Sequence, residues 1–220
     1  MKRSTIYAAI IVAFASHAYA VGDHYAVEAA TLQGPGQCDS EFWAERRHNA
    51  SGSLLHAGGG CRVGLFEYDT AVERERADDE TVTAAALQLK WAQPFSEQWR
   101  IGALAGIGIQ DTSTPFSTGF ASALLSWQAF ETFALHANFG RSLHRNEDDR
   151  SLIGFAFEWT ALESLNLIGE RFKEGGDDYF RLGLHWVVDP QLSVDLSRAH
   201  GLQSGDDRPW WTLGLNWQFE

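Results

Sequence analysis

The chain is poor in several residue types, and each shortage excludes something. It has two cysteines and five prolines in 220 residues, and its 17 basic residues face 29 acidic ones, a net charge of −12. Two cysteines cannot build a disulfide-dense mini-scaffold. The shortage of base removes the positive face that a nucleic-acid binder uses to displace counterions, so no nucleic-acid partner is expected. Beyond residue 20 no stretch approaches the ~18 apolar residues of a membrane helix. No His or Cys pair has the spacing of a structural zinc site, and neither a metal nor a cofactor is expected. What the chain does have is 45% hydrophobic residues, 13% aromatic residues, 21 glycines and nine tryptophans. That hydrophobic fraction excludes a disordered chain, and glycines among aromatics suit a tightly packed sheet.

Residues 1–20 have the layout of a secretory signal. Lys2 and Arg3 form the charged start, Ile6 to Phe14 the apolar run, and Ala18-Tyr19-Ala20 the small-x-small cleavage site. Cleavage there leaves 15 basic and 29 acidic residues, a net charge of −14. An exported chain without a membrane helix is either soluble or enters a membrane as strands.

Alternation decides between these. Trp211, Leu213, Leu215, Trp217 and Phe219 share one face of a strand, and Thr212, Gly214, Asn216 and Gln218 share the other. The same pattern runs through Phe180, Leu182, Leu184 and Trp186, through Ile153, Phe155, Phe157 and Trp159, and through Phe133, Leu135, Ala137 and Phe139. It predicts twelve strands, at about 40–50, 52–63, 66–76, 80–92, 97–110, 115–128, 130–143, 149–160, 163–173, 177–188, 190–200 and 207–219. Most reach about ten residues, the length a tilted strand needs to cross a bilayer.

Two architectures present such strands: a soluble sandwich whose oily faces meet, or a membrane barrel whose oily faces point to lipid. The polar faces are rich in Gly, Ala and Ser, which suits a crowded interior. Trp91, Trp99, Trp127, Trp159, Trp186, Trp210, Trp211 and Trp217 lie near strand ends, where aromatic belts at both membrane interfaces are expected. The connections alternate between short turns and acidic loops carrying Asp78-Asp79, Asp148-Asp149, Asp177-Asp178 and Asp206-Asp207. The expected fold is therefore an all-β, transmembrane, antiparallel up-and-down barrel of about twelve strands. Residues 1–20 are its signal peptide, 21–39 an N-terminal periplasmic or plug-like segment, and 40–220 the barrel in the cell outer membrane. Export favours a Cys38–Cys61 disulfide closing the first hairpin at the periplasmic rim.

Pointing the polar faces inward gives a lumen lined by Arg62, Glu67, Lys90, Arg100, His136, Glu158, Glu170, Arg181, His185 and Asp195, with His56, Asp69, Glu73, Gln88 and Asn138 among them. A barrel of this width leaves room for a narrow aqueous path, with wall charges setting selectivity. The alternative is that these charges pair across the lumen and close it, because buried ions require partners. The Asp doublets are either solvated loop acids or a place where divalent ions bridge to lipopolysaccharide phosphates.

Glu28 followed by Gln33-Gly34-x-Gly36 ahead of the first strand resembles the opening motif of a bacterial outer-membrane barrel family associated with transport in the phenol meta-degradation pathway. The stretch from Asp189-Pro190 to Phe219, with Gly201-Leu202 in its last loop, is similar to that family's ending. The resemblance implies a porin-like channel or transporter for small solutes, aromatic or hydrophobic ones among them. Its partners would be outer-membrane lipid and lipopolysaccharide, the barrel-assembly machinery and the solute. A closed structural or adhesive barrel is the alternative. An enzyme is not expected, because the nearest nucleophile–base candidates, Ser142 with His144 and the Arg198-Ala199-His200 stretch, match no recognisable lipid-hydrolase signature.

Overall fold

A computed structural model describes residues 24–47, 52–77, 80–111, 118–144, 148–174, 176–203 and 209–220. The expected signal peptide and the doublets Asp78-Asp79 and Asp206-Asp207 lie outside them. Twelve strands follow one another: β1 (Cys38–Arg47), β2 (Ser53–Val63), β3 (Phe66–Ala77), β4 (Glu80–Pro94), β5 (Trp99–Gln110), β6 (Thr118–Phe130), β7 (Phe133–His144), β8 (Arg150–Leu162), β9 (Leu165–Glu174), β10 (Asp177–Asp189), β11 (Leu192–Gly201) and β12 (Trp210–Phe219). Each pairs antiparallel with its neighbours in sequence. β1 closes on β12 from Cys38 opposite Phe219 to Arg47 opposite Trp210, so no sheet edge remains.

Period two sorts the side chains as a membrane barrel requires. Phe155, Trp186 and Leu215, which would meet in the core of a sandwich, are 52%, 51% and 49% exposed on the outer surface. The buried residues are mostly polar or small: Glu158, Glu170, Arg181, His185, Asp195, Ser197 and Thr212 all lie inside. The molecule is therefore oily outside and polar inside, which is stable only where lipid bathes the exterior.

One end carries tight turns. Gly64 takes φ +64° between β2 and β3, a conformation that an L side chain rarely adopts. Three register shifts, at Gln128/Phe130, Thr160/Leu162 and Val187/Asp189, lie beside turns at this same end. Bulges at a barrel rim bend the strands into their turns. At the other end two connections are shorter than the alternation of loops suggested. β3 and β4 leave only residues 78–79 between them, and Asp177 and Asp178 begin β10 instead of lying in a loop. Acidic residues at a strand's solvated tip are as well hydrated as in a loop, so composition alone does not separate the two cases.

Cys38 is the first residue of β1 and stands directly opposite Cys61 of β2, and the two are disulfide-bonded. The aromatic belt is one-sided. Trp91, Trp99, Trp127, Trp159, Trp186 and Trp217 all sit near the short-turn ends of their strands. Only Trp210 and Trp211 sit at the opposite end, and Trp210 is buried inside.

Candidate functional site

The barrel is not empty. Residues 24–37 run through its interior as a strap without helix or strand until β1 begins. Tyr25, Val27, Ala29 and Ala30 are among the most buried residues of the molecule. Val27 packs with Ala156, Phe172, Ala199 and Trp210, and Ala30 packs with Leu104 and Leu124. The wall makes room with glycine: a Cβ on Gly154 would run into Val27, and one on Gly183 would run into the Tyr25 hydroxyl.

A buried irregular backbone must have its polar groups satisfied. Here the wall does so, strand by strand. Ser197 of β11 bonds His24 Nε2 at 2.8 Å, and Arg181 of β10 donates to the His24 carbonyl. Glu170 of β9 accepts the N–H groups of Ala26 and Val27 at 3.2 and 3.0 Å, and Arg181 holds that carboxylate at 3.4 Å. Asn138 of β7, with its amide oriented to satisfy both groups, donates to the Glu28 carbonyl at 2.9 Å and accepts the Glu28 N–H at 2.7 Å. Ser126 of β6 accepts the Ala30 N–H at 2.8 Å. Lys90 of β4 pairs with the Glu28 side chain at 2.8 Å, Glu67 of β3 accepts the Gln33 N–H at 2.8 Å, and Arg62 of β2 donates to the Gln33 carbonyl at 2.6 Å. Glu28 and Gln33, which carry the resemblance at this end, are thus anchor points of the strap.

Eight of the ten residues assigned to the lumen are buried inside: Glu67, Lys90, His136, Glu158, Glu170, Arg181, His185 and Asp195. Five of them, Glu67, Lys90, Glu170 and Arg181 directly and His136 through Ser126 at 2.8 Å, hold the strap. His185 pairs with Asp195 at 3.0 Å, and Glu158 accepts from Asn166 at 2.7 Å. Arg62 is half-buried, and Arg100 is exposed; both line the mouth at the short-turn end. Within the strap, burial together with Arg181 and His185 beside it holds the His24 imidazole well below its ordinary value of 6.5.

Beside the strap, along β1 to β4, a cavity of about 1050 Å³ runs from Arg100, Pro190 and Gln191 at the short-turn rim up to Trp43, His56 and Glu73. Among the described residues its wall carries eight carboxylates and five bases, Arg62, Lys90, Arg100, His56 and His185. Some of the acids are engaged: His56 is bonded by Glu41 at 2.8 Å and Glu73 at 3.0 Å and stacks on Trp43 at 4.4 Å. Asp39 accepts from Gly60 and from Asn216. Sequence reasoning missed Asp39, Glu41 and Trp43. The signal was present in their period of two, but β1 also carries polar Ser40 and charged Arg46 on its outer face, which hides the alternation.

The nucleophile candidates are placed as follows. Ser142 bonds His144 Nε2 at 2.5 Å, and the group behind the ring is the Thr118 hydroxyl at 3.5 Å. Among the described residues, that arrangement lacks the carboxylate or amide that orients a catalytic imidazole. Arg198 and His200 stand on one face of β11, with Arg198 over the Trp211 ring. Among the described residues no cluster of His, Cys, Asp and Glu is placed to hold a metal ion.

A family model matches residues 9–219, nearly the whole chain. The chain belongs to the family described as Uncharacterised conserved protein UCP029691. No curated protein matches the sequence. The fold has solved relatives. The KdgM porin superposes with a TM-score of 0.68 at 10% identity, covering 83% of this chain and 99% of its own. The NanC porin gives 0.65 at 8% identity, covering 81% and 98%. The Ralstonia pickettii toluene transporter TbuX gives 0.56 at 10% identity, covering 85% and 90%. At these identities the likeness is one of fold. This family member therefore shares the closed barrel of porins and transporters.

Proposed function

We propose that this chain is an outer-membrane channel that passes small hydrophilic solutes, cations in preference to anions, through the space beside its internal strap. The observation that carries this reading is the cavity of about 1050 Å³ inside a closed barrel with an oily exterior. Its excess of carboxylates over bases gives the path a negative potential, and wall charge of one sign concentrates counter-ions in a narrow pore. The names of the similar structures, two porins and a transporter, support a channel role. The aromatic or hydrophobic solutes implied by the resemblance, and the toluene handled by TbuX, would meet a wall that is mainly polar here. Trp43, stacked on His56, is the surface on which an aromatic cation would fit both demands.

The strap favours a second reading in which it closes the barrel and the molecule is structural. Conductance of the refolded protein in planar bilayers separates the two. Discrete steps with a cation-biased reversal potential support the channel; silence from both the intact chain and a variant lacking residues 21–33 contradicts it.

A further inference from the structure

Period two sorts charge as well as oil. The chain contains the pairs Glu45-Arg46, Glu73-Arg74, Glu75-Arg76 and Glu170-Arg171. In each pair the alternation turns the Glu to the lumen and the Arg to the outer surface. Arg46 follows the exposed Phe42 at even spacing, Arg74 and Arg76 follow Tyr68 and Val72, and Arg171 lies beside buried Glu170. Arg141 follows the exposed Leu135 and Phe139, and Arg198 follows Leu196. These six outward arginines lie on β1, β3, β7, β9 and β11, each within the last four residues at the end opposite the short turns. At ~3.4 Å per residue that is a band within about 10 Å of the strand tips. At the short-turn end the described bases, Arg62, Lys90 and Arg100, line the cavity instead, and the outer surface there carries the tryptophan belt.

We infer that this arginine band binds the phosphate groups of the glycolipid of the outer leaflet. The chain's net charge of −12 makes six outward arginines gathered at one end the opposite of what composition would scatter there. Anionic headgroups complement it, and the guanidinium fork matches phosphate with two parallel hydrogen bonds. An arginine near a strand tip reaches the interface with its head while its stem lies on apolar surface, so the placement costs little. Two carboxylates among the described residues stand within 4 Å of the band and do not saturate it. Asp149 stands 3.9 Å from Arg141 and Asp178 stands 3.7 Å from Arg171, and those arginine side chains remain 68% and 64% exposed. Arg198 lies over the Trp211 ring at 5.3 Å, an aromatic seat for a headgroup at the same level. The two interfaces are thus chemically distinct, tryptophan toward a phospholipid leaflet and arginine toward a phosphorylated glycolipid one. The inference is independent of whether the lumen conducts.

The test uses the refolded full chain in detergent, titrated with bisphosphorylated lipid A and with the same glycolipid after its phosphates are removed. Binding is read by native mass spectrometry and by the temperature at which the folded band collapses on a gel. The expected result is at least about tenfold tighter binding of the phosphorylated form. Replacing all six arginines by Gln should abolish that preference, and replacing them by Lys should retain most of it. Equal binding of the two glycolipids, or an unchanged preference in the Gln variant, overturns the inference. So does a preference that disappears on adding EDTA, because the phosphate would then be held through cations on the Asp residues. If the Gln variant does not refold, the wild-type comparison of the two glycolipids, the EDTA arm and the Lys variant still decide.

Discussion

The Glu170 carboxylate accepts a hydrogen bond from the Val27 backbone N–H at 3.0 Å, across 143 residues of sequence, and its other oxygen accepts from Ala26. One buried side chain thus satisfies two consecutive amides of a segment that has no secondary structure of its own. Glu170→Gln keeps the shape but loses the charge and one acceptor. Hydrogen bonds to a charged group are worth ~1.5–3 kcal/mol each, so strap docking should weaken by about that much. Hydrogen exchange of residues 24–30 should accelerate while the barrel strands stay protected. Unchanged exchange would mean that the strap is held elsewhere.

Steric fit gives an orthogonal test. Gly154→Val places a side chain where Val27 now packs, in a β-strand that otherwise tolerates valine well. The expected outcome is an intact barrel with an undocked strap, seen as new protease sensitivity before residue 38. A variant that keeps the strap protected would show that the wall yields instead.

Strap docking should also depend on acidity. His24 is neutral where it sits, because burial and the neighbouring Arg181 and His185 oppose its charge. Its protonation is favoured only once it leaves. Its contribution to docking is therefore complete above its ordinary value of 6.5 and declines as pH falls below that value. The protection of residues 24–30, taken as their exchange rate relative to that of free amides at the same pH, should fall between pH 7.5 and pH 5, and His24→Gln should flatten that dependence. The same loss of protection in the Gln variant would assign the effect to other groups.

The Cys38–Cys61 bridge closes a chain segment with a sequence separation of 23. Loop-closure entropy for that length is worth about 3 kcal/mol. Reduction, or the double Cys→Ser variant, should lower the temperature at which the folded gel band collapses, without changing the strand content. Equal collapse temperatures would mean that pairing of β1 with both neighbours already fixes the hairpin.

The fold was legible because alternation is a local signal. Trp211 to Phe219 declares its two faces within nine residues, and β12 presents those faces. The same locality explains the failures. The strap has no period to read, and what buries Tyr25 and Val27 is a set of side chains such as Ser197, Arg181 and Glu170 that lie far along the chain. The lumen residues were legible as a face, but their division between holding the strap and lining a cavity depends on where the strap runs. The tryptophans were legible as strand-end residues. Their concentration at one end was not, because strand direction relative to the membrane emerges only when all twelve strands are laid side by side.

The most direct test of a water-filled, acid-walled path is the reversal potential of single-channel currents under a salt gradient across a planar bilayer. Discrete openings biased toward the cation are expected, with the bias reduced when Asp69 and Glu73 are replaced by Asn and Gln, and with larger steps once residues 21–33 are removed. Currents biased toward the anion contradict the role given to the carboxylates, and no currents from either the intact or the shortened chain contradict the channel itself.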